Sequence, residues 1–119
     1  MFKDEVKNLS HYDVYILSVI ELERNWQFAN AEYEQGKFEI EFKNTQYPDY
    51  YLNRVSSYKN SLKNDYEIVK LFRSNIDKQT LDEYQKERFT FDKEFFEKVE
   101  KLLANMDKFL SQHNIDLTI

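Results

Sequence analysis

Apolar residues recur at three- and four-residue spacing along the first third of the chain. Between positions 8 and 36 the members of this series are Tyr12, Tyr15, Val19, Leu22, Trp26, Ala29 and Tyr33, with Ile16 and Ile20 beside them. This period places them on one face of a helix, and Ser10 is suited to the N-cap position. The pattern predicts a first helix over about 10–35.

Gly36 is the only glycine of the chain and follows this run directly. A glycine in that position is typical of a helix C-cap, so we predict that the first helix ends there. The next residues, FEIEF at 38–42, alternate as in a half-buried strand, and 115–119 alternate in the same way. These segments predict a minor two-stranded β annex that pairs 37–43 with 115–119. In the other interpretation, the helix kinks at Gly36 and continues.

Pro48 begins a second periodic segment, because proline is favoured in the first turn of a helix. The apolar series after it predicts a second long helix over about 49–75. Thr80, with Glu83 three residues later, has the spacing of a capping box and predicts a short extra helix near 81–88.

The last periodic segment predicts a third long helix over about 92–112, capped by Thr90 or Asp92. Three long helices with one-sided apolar faces must bury those faces against each other. The chain is therefore expected to be mainly α: a single helical domain over 1–119, folded as an antiparallel three-helix bundle with the short helix across one end.

Composition and charge narrow the class of protein. The net charge is −5, whereas a nucleic-acid-binding protein is normally basic, so we do not expect nucleic acid as a partner. The chain has no cysteine, which excludes disulfides and thiolate sites. No apolar run reaches the length of a membrane span, and the N-terminus does not resemble a signal peptide. We expect a cytoplasmic protein that does not enter a membrane.

Candidate catalytic chemistry is sparse. His11 and His113 are the only histidines, and an up-down-up bundle would place them at opposite ends. The sequence has no phosphate-binding glycine loop, nucleophile elbow or zinc motif. Glutamates are frequent in the first third, but they lie between apolar positions, as expected of a solvated helix face. We predict that the protein is not an enzyme and has neither cofactor nor metal.

Aromatic and basic residues provide the candidate interaction surface. Tyr47, Tyr50 and Tyr51 lie together at the start of the second helix, and tyrosine is favoured at protein interfaces. Further along that helix, four cations and one aromatic residue fall within an arc of ~80° on a helical wheel. They are Lys59, Lys63, Tyr66, Lys70 and Arg73. This basic stripe would meet a partner, the acidic first helix or water.

The heptad spacing of the second helix predicts a second kind of contact, a self-association seam. Its residues are Val55, Tyr58, Leu62, Asp65, Val69 and Phe72. Asp65 is the only charged member, and it either selects the register of a partner or lies at the edge of the bundle.

These features favour a non-enzymatic protein that acts by occupying a protein partner. An accessory, inhibitor or immunity-type factor of a phage or mobile element has this size and composition. The alternative is a self-assembling structural protein that forms a homodimer through the second helix. The third hypothesis is a carboxylate-based enzyme or metal protein.

Overall fold

The computed structural model describes residues 9–113 of the chain. Three long helices follow one another: α1 (His11–Lys37), α2 (Pro48–Ser74) and α3 (Glu83–Gln112). Together they share one hydrophobic core. The chain runs up, down and up, and the predicted antiparallel three-helix bundle is confirmed.

Helix α1 begins as its sequence predicts. The Ser10 side chain accepts a hydrogen bond from the Asp13 backbone N–H, and the Asp13 carboxylate accepts one from the Ser10 backbone N–H, which completes a capping box. Five residues of the predicted stripe are buried in the core: Tyr15, Val19, Leu22, Ala29 and Tyr33.

The end of α1 differs from its prediction, because Gly36 lies inside the helix rather than at a cap. It is buried, and its φ angle is not positive. The role of this glycine is steric. A Cβ atom built at this position would lie 2.9 Å from Cγ2 of Val55, so only glycine lets α1 and α2 approach this closely.

The chain continues beyond Lys37 as a π-helix over Phe38–Phe42. This helical segment ends at Phe42, and Asn44, two residues later, adopts a left-handed conformation with φ 51°. Asparagine tolerates this conformation well. The predicted strand at 37–43 is therefore wrong. Of the other interpretation, a helix that kinks at Gly36 and continues, the continuation past Gly36 is correct. The other half of the predicted annex, 115–119, lies outside the described residues.

Helix α3 is a single unbroken helix, so the separate short helix at 81–88 is also wrong. Asp82, not Thr80, is the N-cap, and it forms a capping box with Gln85. Thr80 ends a short 3₁₀ turn over Lys78–Thr80. Asp92 does not cap a helix. It is buried within α3, and its carboxylate accepts hydrogen bonds from the Tyr15 hydroxyl of α1 and from Arg88 of α3.

Candidate functional site

The predicted tyrosine cluster lies at the turn between α1 and α2. Tyr47 is 70% exposed and Tyr50 is also exposed, whereas Tyr51 is half-buried and packs edge-on against Tyr50 with ring centroids 5.0 Å apart. Two of the three predicted tyrosines therefore lie on an accessible surface.

Two phenylalanines of the π-helix precede these tyrosines in the connection between α1 and α2. Phe38 and Phe42 stack with ring centroids 5.9 Å apart, and Phe42 is 82% exposed, the largest value among the exposed apolar side chains of residues 9–113. We refer to Phe38, Phe42, Tyr47 and Tyr50 as the aromatic corner.

Backbone hydrogen bonds fix the connection that carries the corner. The Lys43 N–H donates to the Phe38 carbonyl at 3.0 Å, and the Thr45 N–H donates to the Glu39 carbonyl at 2.9 Å. The Tyr47 N–H donates to Oγ1 of Thr45 at 3.1 Å. The turn between α1 and α2 is thus hydrogen-bonded along its length, which limits its freedom in the unbound protein.

An ion pair between the two helices supports Tyr50. Arg54 donates two hydrogen bonds to the carboxylate of Glu32, at 2.8 and 2.6 Å, and its guanidinium lies 5.6 Å from the Tyr50 ring centroid. This bonding lowers the pKa of Glu32 below its ordinary value, so the pair is ionised at neutral pH. A bidentate pair of this kind also fixes the orientation of the guanidinium beneath the ring.

The structure does not keep the basic stripe together on one exposed surface. Lys59 is buried, and its ammonium lies 2.7 Å from the carboxylate of Asp107 in α3. Tyr66 is also buried and donates to Glu100 of α3 at 2.7 Å.

Arg73 is half-buried, with its guanidinium 3.6 Å from the Phe89 ring centroid. Only Lys63 and Lys70 are exposed. Most of the stripe therefore faces α3 inside the molecule, which corrects its interpretation as a continuous surface for a partner.

The predicted self-association seam lies in the core of the protomer. Val55, Leu62 and Val69 are fully or almost fully buried, and Tyr58 and Phe72 pack against the same core. A homodimer through this face would require the bundle to open. The prediction that the seam is an accessible surface for self-association is therefore wrong.

Asp65, the charged residue of the seam, lies half-buried where α2 meets α1. Its carboxylate accepts a hydrogen bond from the Asn25 side-chain amide. Burial, and after it the negative charge of Glu21, raises the pKa of Asp65 above its ordinary value. Asp65 thus lies at an edge between two helices, as one of the two sequence interpretations expected.

A buried polar cluster links all three helices near the start of α1. The Tyr15 hydroxyl donates to Asp92 at 2.7 Å and accepts a hydrogen bond from Arg73, while Arg88 donates to the other oxygen of Asp92 at 2.9 Å. Burial, and then the bond to Asp92, raises the pKa of Tyr15 well above its ordinary value. Its phenol therefore stays neutral and serves as a structural link.

Residues 9–113 contain no group of three His, Asp or Glu side chains that could hold a metal ion. His11 is exposed at the first position of α1, and His113 packs edge-on against Phe109 with ring centroids 4.9 Å apart. Because α1 and α3 run in the same direction, the two histidines lie at opposite ends, as predicted.

Sequence reasoning missed Phe38 and Phe42 because their alternation with glutamates indicated a strand. It also missed Tyr84 and Phe91 on α3, which are 76% and 64% exposed. Their signal in the sequence is that the helix positions between them, where a core face would continue, are the charged residues Glu87 and Arg88.

The comparisons with known proteins add no further information. The chain matches no protein-family model, and it matches neither a curated protein nor a solved structure. Of the helices within residues 9–113, none combines the length and the apolar character that crossing a lipid bilayer requires.

Proposed function

We propose that this protein is a non-enzymatic binding protein that acts by occupying a protein partner through its aromatic corner. The observation that carries the proposal is the exposure of Phe38, Phe42 and Tyr47 on the connection between α1 and α2 and of Tyr50 in the first turn of α2. Aromatic side chains are enriched at protein interfaces, and tyrosine is among the residue types enriched at the positions that dominate binding energy.

Exposure of these rings has a free-energy cost that a partner would recover. Full burial of one phenylalanine side chain contributes roughly 1.5–3 kcal/mol relative to leaving it in water. Phe42 keeps 82% of its surface in water, and Tyr47 keeps 70%. Isolated exposed apolar side chains are ordinary, but contiguous apolar patches mark interaction sites on soluble proteins.

The backbone beneath the corner supports the same proposal. A π-helix is rare in proteins and is frequent at functional sites. Here it carries Phe38 and Phe42, whose rings stack on each other. Since the hydrogen bonds of the connection already hold it in one conformation, a partner would pay little conformational entropy to order it.

The biological setting belongs to the proposal as well. We place the protein in the cytoplasm, because small secreted domains usually depend on disulfides and this chain has no cysteine. An accessory, inhibitory or immunity-type role for a phage or mobile element fits a small helical protein whose surface offers aromatic contact area.

A pull-down from the source cells tests the proposal when it compares two matched double variants of the tagged full chain. The corner variant carries Phe42→Ala and Tyr47→Ala. The control carries Phe28→Ala and Leu71→Ala, two exposed apolar residues on the sides of α1 and α2. We expect one dominant, near-stoichiometric partner with the wild type and the control, and its loss with the corner variant.

Two results would contradict the proposal. One is a partner that the corner variant retains, since binding would then use another surface. The other is recovery of the bait alone, which would favour self-association through a surface other than the buried seam of α2. The protein's mass at tens of micromolar would then decide whether the chain associates with itself. Loss of the partner only at high salt would instead implicate the exposed Lys63 and Lys70.

A further inference from the structure

A second exposed aromatic surface lies on α3, away from the aromatic corner. Tyr84 and Phe91 line one shallow, open depression on the surface of α3 together with Glu87 and Arg88, and an adjoining shallow depression shares Glu87 and Phe91. The residues of this surface, which we name the acidic groove, are Glu83, Tyr84, Lys86, Glu87, Arg88, Thr90, Phe91 and Glu94.

The position of the acidic groove separates it from the corner. It occupies the first turns of α3, at the end of the bundle where Ser10, Ile76 and Leu81 border a common cleft. At the other end, Tyr33 and Glu41, near the corner, border a cleft with Phe109 of α3. The bundle is 53 Å along its longest axis, so the two surfaces can be tested independently.

The groove is negatively charged because carboxylates outnumber cations in it. One of its two cations, Arg88, is also already in an ion pair. Arg88 donates to Asp92 at 2.9 Å, and its guanidinium lies 3.7 Å from the Glu23 carboxylate of α1. The bond to Asp92 raises the pKa of Arg88, so it remains a cation whose charge these acids offset.

The groove holds three carboxylates and two cations, a formal charge of −1, and Asp92 and Glu23, which lie outside it, offset the charge of Arg88. No ion pair within residues 9–113 involves Glu83, Glu87 or Glu94.

The three carboxylates of the groove differ in their local surroundings. Glu83 is the first residue of α3, where a negative charge is stabilised by the helix dipole. Glu87 is beyond the first turn and lies one turn from Glu83, an i,i+4 spacing at which like charges repel. Glu94 lies four residues before Lys98, a spacing at which opposite charges attract, whereas Glu87 has no cation three or four residues away on α3.

We propose that the acidic groove binds a basic amphipathic helix of a partner protein. Tyr84 and Phe91 are two turns apart on one face of α3, about 10 Å at ~1.5 Å per residue, and they offer apolar contacts at the spacing of a helical heptad. Lysine or arginine side chains beside the apolar face of such a helix would meet Glu87 and Glu94. The same carboxylates repel nucleic acid and anionic membranes.

The test uses two synthetic helical peptides with the same apolar pattern, one built of Leu and Lys and the other of Leu and Glu. Each is titrated into the isotope-labelled full chain and followed by NMR. We expect the Leu/Lys peptide to bind, with chemical-shift changes confined to the surface around 83–94, and the Leu/Glu peptide not to bind. Raising the salt concentration should weaken binding, since the charge pairs are exposed.

Matched substitutions separate this site from general attraction between opposite charges. Glu87→Gln should weaken binding about two- to five-fold, as expected for loss of one exposed charge pair. Phe91→Ala should weaken it about ten-fold or more if Phe91 is a central contact. Glu34→Gln and Phe28→Ala, two exposed positions on α1, should leave the affinity unchanged.

Equal binding of both peptides, no binding of the Leu/Lys peptide, or wild-type affinity in Glu87→Gln and Phe91→Ala would each overturn the proposal. Shift changes spread over the whole surface would do the same. Phe42→Ala in the aromatic corner should not alter peptide binding. Failure here therefore leaves the corner proposal intact, and failure of the pull-down leaves this one intact.

Discussion

Replacing Gly36 with alanine should destabilise the protein, although alanine is the better helix former. In an exposed helix the change would contribute about 1 kcal/mol of stability. Here the new Cβ would lie 2.9 Å from Cγ2 of Val55, closer than real Cβ contacts allow. Val55 is fully buried and its branched side chain has few rotamers, so it cannot move aside freely.

The magnitude follows from two opposing terms. Overpacking a core costs about 1–3 kcal/mol, so after the helix term the net loss should be about 0–2 kcal/mol. Urea unfolding followed by fluorescence of Trp26, the single tryptophan, would measure it. In the double variant with Val55→Ala the clash is gone, and the two changes should cost about 1–3 kcal/mol less than the sum of the single changes.

A gain of about 1 kcal/mol for Gly36→Ala, with additive behaviour in the cycle, would refute this reasoning. That result would mean that α1 and α2 lie farther apart at this point than the structure shows. The packing that places the π-helix against the start of α2 would then also be in doubt.

Four further substitutions test the contacts between the helices. Val69→Asp should cost several kcal/mol, a large part of the total stability, because it buries an unpaired charge in the core; an unchanged melting temperature would contradict the burial of this face. Asp107→Asn should cost about 1–3 kcal/mol in urea unfolding, because the buried Lys59 ammonium loses its carboxylate, whereas Lys59→Met should cost less. The raised pKa of Asp65 means that its ionisation opposes folding as the pH rises above the ordinary 3.8. The melting temperature of Asp65→Asn should therefore increase relative to that of the wild type as the pH rises. A difference in melting temperature that does not vary with pH would show that the carboxylate is not desolvated.

The three-helix architecture was predictable because helical periodicity is a local property. The positions that recur every three or four residues in α1, from Tyr15 to Tyr33, are buried except for Trp26, which is half-buried and packs against the same core. The start of α2 at Pro48 was equally local, since proline is suited to the first turn of a helix.

The errors arose where a contact distant in the sequence overrides a local signal. Gly36 resembled a cap, but the close approach of Val55 from α2 keeps it inside the helix. Asp92 resembled the N-cap of a last helix, but Tyr15, 77 positions earlier, and Arg88 bond its carboxylate within α3. Thr80 and Glu83 have the spacing of a capping box, but the capping box forms two residues later, at Asp82.

The candidate surface was only partly predictable. Tyr47 and Tyr50 were found because they cluster at a helix start, where side chains are commonly exposed. Phe38 and Phe42 were not found, because their alternation with glutamates is typical of a strand. No local pattern in the sequence predicts the π-helix that they form. The helical wheel correctly placed Lys59 and Tyr66 on one face, but it does not show that α3 covers that face.

The central claim is that the aromatic corner contacts a partner protein, and site-specific photo-crosslinking in the source cells tests it most directly. A photoreactive phenylalanine analogue replaces Phe42 in the full chain, and the same analogue at Phe28, which is 53% exposed, is the control. The account predicts one discrete heavier product from position 42 and none from position 28. No product from position 42, equal products from both positions, or a product with the mass of two copies of this chain would contradict it.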